Sequence, residues 1–324
     1  MRAAAALLIA NSHLEAFYPR TWLAGDGLLG NTLFYFLSGF GVSVAAGSRG
    51  RGFLRWYGRR IMRLYPAVIL SVLVVQVLLQ AQWRTWKPLD YFQAMIFPTT
   101  FGYVGHIMLV YALLYWLLKP GRQQVHLAAA VTCAAIAVTC AAFAAVSLPP
   151  HAPLMLGQVS PAMHFWFFTT IALLGAYLAP RLAPRINRGI ADGLLVLGLF
   201  IVYVLLKFAM VHGIAPRAFF SLYLLAGVLA VVILRVSSSR LWQLAVGWCV
   251  PVRWFVSFLA AVTLEMYIVQ SFTAGFTPFA RQPFPLNLAL FWVTTFAGAA
   301  LLSIAVSPVT PRSRTLSGAP LRAG

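Results

Sequence analysis

Long apolar stretches alternate with short polar stretches along the whole chain. Ten of the apolar stretches are close to the length of a transmembrane helix, since roughly 20 residues of α-helix cross the hydrocarbon core of a bilayer. The predicted segments are 3–17, 28–46, 64–81, 105–118, 126–148, 164–178, 193–211, 218–234, 255–276 and 286–305. The pattern predicts an all-α, polytopic transmembrane bundle of about ten helices.

The composition supports this interpretation. Hydrophobic residues make up 61% of the chain and charged residues 9%, whereas about a quarter of the residues of a soluble domain are charged. The mean hydropathy is +0.85. We therefore expect a single transmembrane domain over residues 1–306, with the lipid bilayer as its surroundings, and a short polar cytoplasmic tail over 307–324.

The net charge of +19 is explained by topology, because the basic residues lie mainly in the short connections between apolar segments. Cytoplasmic connections of membrane proteins carry an excess of Lys and Arg. With both termini inside, 18 of the 24 Lys and Arg residues are cytoplasmic and five lie on the other side. This distribution predicts an N-in, C-in topology, and we expect no nucleic-acid partner.

The densest basic stretch lies between the second and third apolar segments. It contains six arginines: Arg49, Arg51, Arg55, Arg59, Arg60 and Arg63. Arg59 and Arg63 share a helix face, with Arg60 beside them. Such a block resists translocation and fixes the orientation of its neighbours. A guanidinium is also a planar fork of donors suited to phosphate, so both interpretations stand.

His13 is a polar residue inside the first apolar segment. It follows Arg2 by 11 residues, which is about 16 Å along a helix. Imidazole is a general base at neutral pH and would remove the proton of an attacking hydroxyl. The alternative is a histidine that hydrogen-bonds a neighbouring helix. Glu15 is about 200° further round the helix, so it is not predicted to be a partner of His13.

Glu265 lies midway along the ninth apolar segment. A carboxylate at that depth is unfavourable unless it is paired or hydrated, which makes it a candidate for a functional site. Three roles are open: to orient His13, to bind substrate hydroxyls, or to bridge helices. A metal site is not predicted, since His, Cys and carboxylate residues do not recur at ligand spacing.

Three motifs in the chain are found together in a known family. The stretch GNTLFYFLSGF at 30–40 is followed by FLRWYGRRIMRLYP at 53–66. Arg2 and His13 are separated by ten residues, and TLEMYIVQ stands at 263–270. In their order along the chain, the motifs resemble those of acyltransferase family three, whose members are integral-membrane acyltransferases. Many of them O-acetylate bacterial surface glycans.

The resemblance implies an enzyme of the bacterial cytoplasmic (inner) membrane that transfers groups other than amino-acyl groups. Its donor would be acyl-CoA, with acetyl-CoA as the first candidate, and it would be a co-substrate and not a permanently bound cofactor. Its acceptor would be a hydroxyl of a glycan or glycolipid. A partner protein of envelope biosynthesis is an open option.

The resemblance also implies roles for particular residues. His13 and Glu265 would be catalytic. Donor binding would fall to basic residues and a small-residue patch: Arg2, Arg59, Arg60, Arg63, Ser38 and Gly39. Ser38 and Gly39 let either a helix or an extended pantetheine chain approach closely. Gln270 stands where the family often has histidine, so any role of that histidine is in question.

Two other functions fit the same layout. A polysaccharide or lipid exporter would share the transmembrane pattern but would not consume a thioester. An enzyme that acylates a small cytoplasmic acceptor would need an acceptor pocket that opens inward.

Overall fold

The structure is a computed structural model of the chain. It describes residues 1–25, 27–44, 52–80, 84–98, 101–117, 123–147, 161–179, 189–212, 214, 218–239, 242, 244 and 247–309. These residues form helices and irregular connections, with no β-strand among them. Asp26, Arg49 and Arg51 fall outside the described residues, as does the chain after Val309.

The described helices are numbered here in chain order. They are α1 Arg2–Ser12, α2 Gly27–Val44, α3 Phe53–Ser71, α4 Pro88–Tyr91, α5 Gly102–Leu117, α6 Gln123–Ser147, α7 Pro161–Leu178, α8 Gly189–Val211, α9 Phe219–Ser237, α10 Val250–Ala261, α11 Thr263–Ala274, α12 Thr277–Ala280 and α13 Leu286–Val306. Segments of π-helix extend α3 over Val72–Leu79 and α4 over Phe92–Ile96.

The helices confirm an all-α, multi-pass membrane protein, but not the count of ten spans. Within the described ranges, seven helices are long and apolar enough to cross a membrane, and the bent pair α10–α11 would make eight. Two predicted segments correspond to shorter helices, because α1 has 11 residues and α5 has 16. The N-in, C-in orientation stays a prediction.

The centre of the bundle is the contact between α2 and α7. A Cβ atom added to Gly39 would lie 1.8 Å from the Ala172 carbonyl oxygen, and one added to Gly175 would lie 2.1 Å from the Phe36 carbonyl oxygen. The two backbones therefore touch, as small residues allow at helix contacts in membranes. We call this contact the α2–α7 seam. Within the span of α2, 56% of the residues are buried, against 11% in the span of α8.

The short helix α1 is enclosed by other helices. Ile9 of α1 packs against Gly30 of α2. A Cβ atom added to Gly30 would lie 2.6 Å from the Ile9 Cγ1 atom. At the beginning of α1, Ala3 and Ala6 share a buried cluster with Met266 of α11. These contacts place α1 inside the bundle, between α2 and the pair α11 and α13.

The arginine block differs from its prediction as a connection before the third segment. The helix already begins at Phe53, so Arg55, Arg59, Arg60 and Arg63 lie on its first three turns. The physical reason is the aromatic residues interleaved with the arginines. Trp56 is buried, and its ring lies 5.1 Å from that of Tyr115 in α5. These contacts fix the basic turns of α3 against the bundle.

The ninth predicted segment is a broken helix and not one continuous span. Helices α10 and α11 meet at an angle of 77°. At the break the Thr263 hydroxyl donates to the Leu259 carbonyl at 2.7 Å and approaches that of Ala260 at 3.1 Å. Such side-chain bonds to the preceding turn favour bends. Glu265 consequently lies in the first turn of α11, directly after the break.

Candidate active site

Arg2 lies where α1, α3 and α5 approach each other. Its side chain is exposed, and its guanidinium lies within the electrostatic reach of Arg63 on α3 and of Tyr103 and Tyr111 on α5. The two cationic groups repel each other. An arrangement of this kind is suited to an anion that would lie between them.

Glu265 joins the same region, because the positive charge of Arg63 also acts on its carboxyl group. Its neighbour Met266 packs with Ala3 and Ala6, near the beginning of α1. The structure therefore places Arg63 within electrostatic reach of both Arg2 and Glu265, although 263 positions separate Arg2 from Glu265. We call these three residues the charged cluster.

Four tyrosines line the region beside the charged cluster. We call Tyr35, Tyr103, Tyr111 and Tyr267 the tyrosine cluster. The ring of Tyr103 lies 5.1 Å from that of Tyr35 and 5.5 Å from that of Tyr267. Tyr103 also lies within the electrostatic reach of Arg63 and Tyr111. The cluster thus joins helices α2, α5 and α11 next to the arginines.

Ser38 belongs to this region as well. Its Oγ atom is 3.0 Å from the Tyr103 hydroxyl, and the Tyr103 backbone N–H donates to the Tyr267 hydroxyl at 3.2 Å. Ser38 thereby stays beside the cationic groups. Gly39 differs from it, because its Cα faces Ala172 of α7 at the α2–α7 seam. That face of Gly39 is occupied by protein.

Arg60 is held by aromatic rings. Its guanidinium carbon lies 3.7 Å from the centroid of the Trp56 ring and 5.5 Å from that of Tyr111. A cation over an aromatic face is attracted by the ring quadrupole. The stacking fixes Arg60 one turn from Arg63 and next to the tyrosine cluster. Arg59 is half-buried on the same turn of α3.

His13 lies at the other end of α1. The helix ends at Ser12, and His13 is its C-cap with an exposed side chain. The distance from Arg2 is about 16 Å along the axis, so the structure does not bring His13 to Glu265. Because the chain leaves the helix after Ser12, the predicted 200° separation from Glu15 does not apply. The carboxylate of Glu15 acts electrostatically on the His13 ring.

The connection after α1 is anchored by Asn11. Its side-chain amide donates to the carbonyls of Leu23 at 3.0 Å and Gly25 at 2.9 Å, and its oxygen accepts from the Tyr18 hydroxyl at 2.7 Å. Ser12 donates to the Ile9 carbonyl at 2.7 Å. These bonds end the helix and hold the segment that follows it. His13 therefore sits on an irregular but anchored turn.

Two further histidines pair with hydroxyl groups. His106 Nε2 lies 3.1 Å from Thr169 Oγ1, and His164 is hydrogen-bonded to the Tyr223 hydroxyl. Phe168 lies between them, with ring centroids 6.4 Å from His106 and 6.0 Å from His164. The structure therefore gives each of these histidines a specific partner.

Gln270 is fully buried, and neither polar atom of its side chain has a hydrogen-bond partner among the residues that the structure describes. Within the described residues, no three His, Cys, Asp or Glu side chains gather as metal ligands would.

A family model described as an acyltransferase domain matches residues 1–308. The chain belongs to acyltransferase family three. The resemblance of the sequence motifs is thereby confirmed, and the protein is an acyltransferase that transfers groups other than amino-acyl groups. Comparison with curated proteins and with solved structures gives no match.

The sequence pattern does not reveal most of the tyrosine cluster. Tyr267 stands in the motif at 263–270, Tyr35 and Tyr111 stand inside predicted apolar segments, and Tyr103 lies two residues before one. A signal was present, because a tyrosine hydroxyl inside an apolar segment requires a polar partner. The identity of that partner depends on which helices pack together.

Proposed function

We propose that this family member is an O-acyltransferase of the bacterial inner membrane. It moves an acyl group from acyl-CoA to a hydroxyl of a glycan or glycolipid, and acetyl is the first candidate for that group. The observation that carries the proposal is the convergence of Arg2 and Arg63 at the inner end of the predicted topology. Two guanidiniums and one carboxylate leave a net positive charge that an anionic donor would neutralise.

The donor would bind through its phosphates. Arg2 and Arg63 take one phosphate group between them, and Arg59 and Arg60 lie on the turn of α3 that precedes Arg63. Ser38 and Tyr103 present hydroxyl groups beside this position. A pantetheine arm that extends from there toward His13 has to span the roughly 16 Å of α1.

The acyl transfer itself needs one base. In the proposed mechanism His13 accepts the proton of the acceptor hydroxyl as its oxygen attacks the thioester carbonyl carbon. The new C–O bond forms and the C–S bond breaks. The sulfur leaves as a thiolate and takes up the proton, so the products are an ester and free CoA thiol. The exposed position of His13 lets an acceptor approach without displacing protein.

Thiol release tests this proposal. Purified protein in nanodiscs receives radiolabelled acetyl-CoA and a lipid-linked or soluble glycan, and free thiol and acetylated acceptor are both measured. We expect equal amounts of the two products, and we expect both to disappear in His13→Ala. Transport of the glycan across the membrane without release of thiol would overturn the proposal in favour of an exporter.

A further inference from the structure

A lateral groove of about 320 Å³ lies between α6, α7 and α9. Its walls include Ala134 and Ala137 of α6, Phe167 and Ile171 of α7, and Leu224 and Gly227 of α9. We call it the lateral groove. We propose that it binds the hydrocarbon tail of a lipid-linked acceptor. This proposal rests on the proposed function, because it takes the occupant of the groove to be the acceptor.

The chemistry of the walls selects a hydrocarbon. Only two lining residues carry hydroxyl groups, and both are satisfied within the protein. Thr170 donates to the Trp166 carbonyl at 2.8 Å, and the Tyr223 hydroxyl is bonded to His164. Each of the two hydroxyl groups thus has a partner within the protein. A site with such walls favours an apolar occupant, as apolar pockets in general do.

The groove is continuous with the surface that faces lipid. Val138, Leu224 and Val228 at its edges are 58%, 71% and 41% exposed. In a membrane protein these side chains meet acyl chains and not water. A tail can therefore enter from the bilayer sideways, with no polar barrier to cross.

The length of the groove matches one leaflet. On α7 it extends from Met163 to Leu174, which is about 16 Å of helix. The hydrocarbon core of a bilayer is about 30 Å thick, so one leaflet contributes about half of that. The groove begins in the first turns of α7 and α9, where helix ends approach the headgroup level. A tail that fills it places its headgroup at these helix ends.

The polar pair at this end connects the groove to the candidate active site. Tyr223 and His164 are bonded to each other, and the His164 ring stacks on Phe168 at 6.0 Å. Phe168 in turn stacks on Tyr35 of the tyrosine cluster at 4.8 Å. A headgroup held at His164 would thus lie one aromatic ring from Tyr35, and the glycan attached to it would extend from there to His13 in the proposed transfer. Bulk phospholipid does not need to reach the candidate active site, whereas the acceptor does.

Photolabelling tests the assignment without requiring turnover. The probe is a polyprenyl-phosphate-linked sugar with a diazirine in its tail, added to the full chain in nanodiscs. Labelled peptides are identified by mass spectrometry. We expect label on α7 and α9, displaced by unlabelled polyprenyl-linked sugar and not by the same excess of phospholipid. Equal displacement by phospholipid would show that the groove holds bulk lipid, and would overturn the assignment.

Two groove variants and a matched control sharpen the test. Ala134→Phe fills the wall on α6, and Val228→Trp narrows the mouth on α9. Ala135→Phe adds the same bulk at an exposed neighbouring position outside the groove. We expect labelling to fall at least fivefold in the two groove variants and to stay unchanged in Ala135→Phe. Unchanged labelling in either groove variant that melts at the wild-type temperature would overturn the proposal.

The outcome is separable from that of the proposed function. Specific labelling by a chain that never releases thiol would keep a hydrocarbon site and reject the acyl transfer to its occupant. Thiol release with a soluble glycan, combined with no specific labelling, would keep the enzyme and reject the lipid-linked acceptor.

Discussion

The two ends of α1 differ in how the protein holds them. At the Arg2 end, side chains from three other helices converge, and hydrogen bonds and ring contacts fix the neighbouring tyrosines. At the His13 end the helix stops, and the histidine lies exposed on a turn held by Asn11. One end is built from packed helices, and the other from an anchored connection.

This difference fits a division of labour between the substrates. A donor that is the same in every reaction cycle is best bound by rigid, preorganised elements. An acceptor needs access, which a turn at the edge of the bundle provides more readily than a packed interior. In the proposed mechanism the donor's phosphates lie at the Arg2 end, and the acceptor meets the thioester at the His13 end.

The largest effect is expected from His13→Ala. Loss of a general base lowers the rate by about 10²–10⁴-fold, while donor binding at the other end of α1 should be unchanged. The measurement is thiol release together with calorimetric binding of acetyl-CoA. A matched control is Glu15→Gln, which keeps the ring and removes the neighbouring charge. If His13→Ala lost donor binding as well, the two ends would not be separate.

The α2–α7 seam supports the packed end, and Gly39→Ala tests that support. The new Cβ would meet the Ala172 carbonyl oxygen, so the helices must separate. Overpacking of this kind destabilises by about 3 kcal/mol, and we expect a lower melting temperature in detergent. Gly41→Ala is the matched control, because a Cβ there meets no atom within 4 Å. Equal stability of the two variants would contradict the seam.

A smaller effect is expected from Tyr103→Phe. The variant removes the hydroxyl that pairs with Ser38 and leaves the ring contacts in place. One hydrogen bond contributes about 1 kcal/mol, so acetyl-CoA should bind about fivefold more weakly. Ser38→Ala should give a similar loss, and the double variant should add little to either. Fully additive losses would mean that the two hydroxyl groups act independently.

The smallest effect is expected from Glu265→Gln, and its sign is informative. The carboxylate offsets the charge of Arg63, so its removal leaves more positive charge for the donor's phosphates. Pairs with an exposed arginine are worth about 0.2–1 kcal/mol, and donor binding should tighten by about twofold to fivefold. Calorimetry of the variant measures this directly. Weaker binding would assign Glu265 to the support of Arg63 and not to competition with phosphate.

Sequence analysis predicted the transmembrane architecture and the family because those depend on local patterns. Apolar length identified α2 and α7, and motif order identified the acyltransferase. It could not show that Arg2, Arg63 and Glu265 lie together, since their proximity depends on which helices pack. The roles of His13 and Arg63 stay predictions.

Element boundaries failed for local reasons. The apolar pattern predicts a first helix to Phe17, whereas the Ser12 hydroxyl bonds the Ile9 carbonyl and the helix ends at Ser12. The pattern predicts a third helix from Leu64, because the arginines on its first turns conceal the buried aromatic face of Trp56. The break before Thr263 falls inside an apolar stretch, so a hydropathy pattern does not detect it.

The most direct test of the central claim is calorimetric titration of acetyl-CoA into the purified protein. Wild type is compared with Arg2→Ala/Arg63→Ala and with Arg20→Ala, an exposed arginine beyond the His13 end of α1. We expect wild type and Arg20→Ala to bind with equal affinity, and the double variant, with an unchanged melting temperature, to lose at least 90% of that affinity. Wild-type affinity in the double variant would place the donor elsewhere and contradict the account.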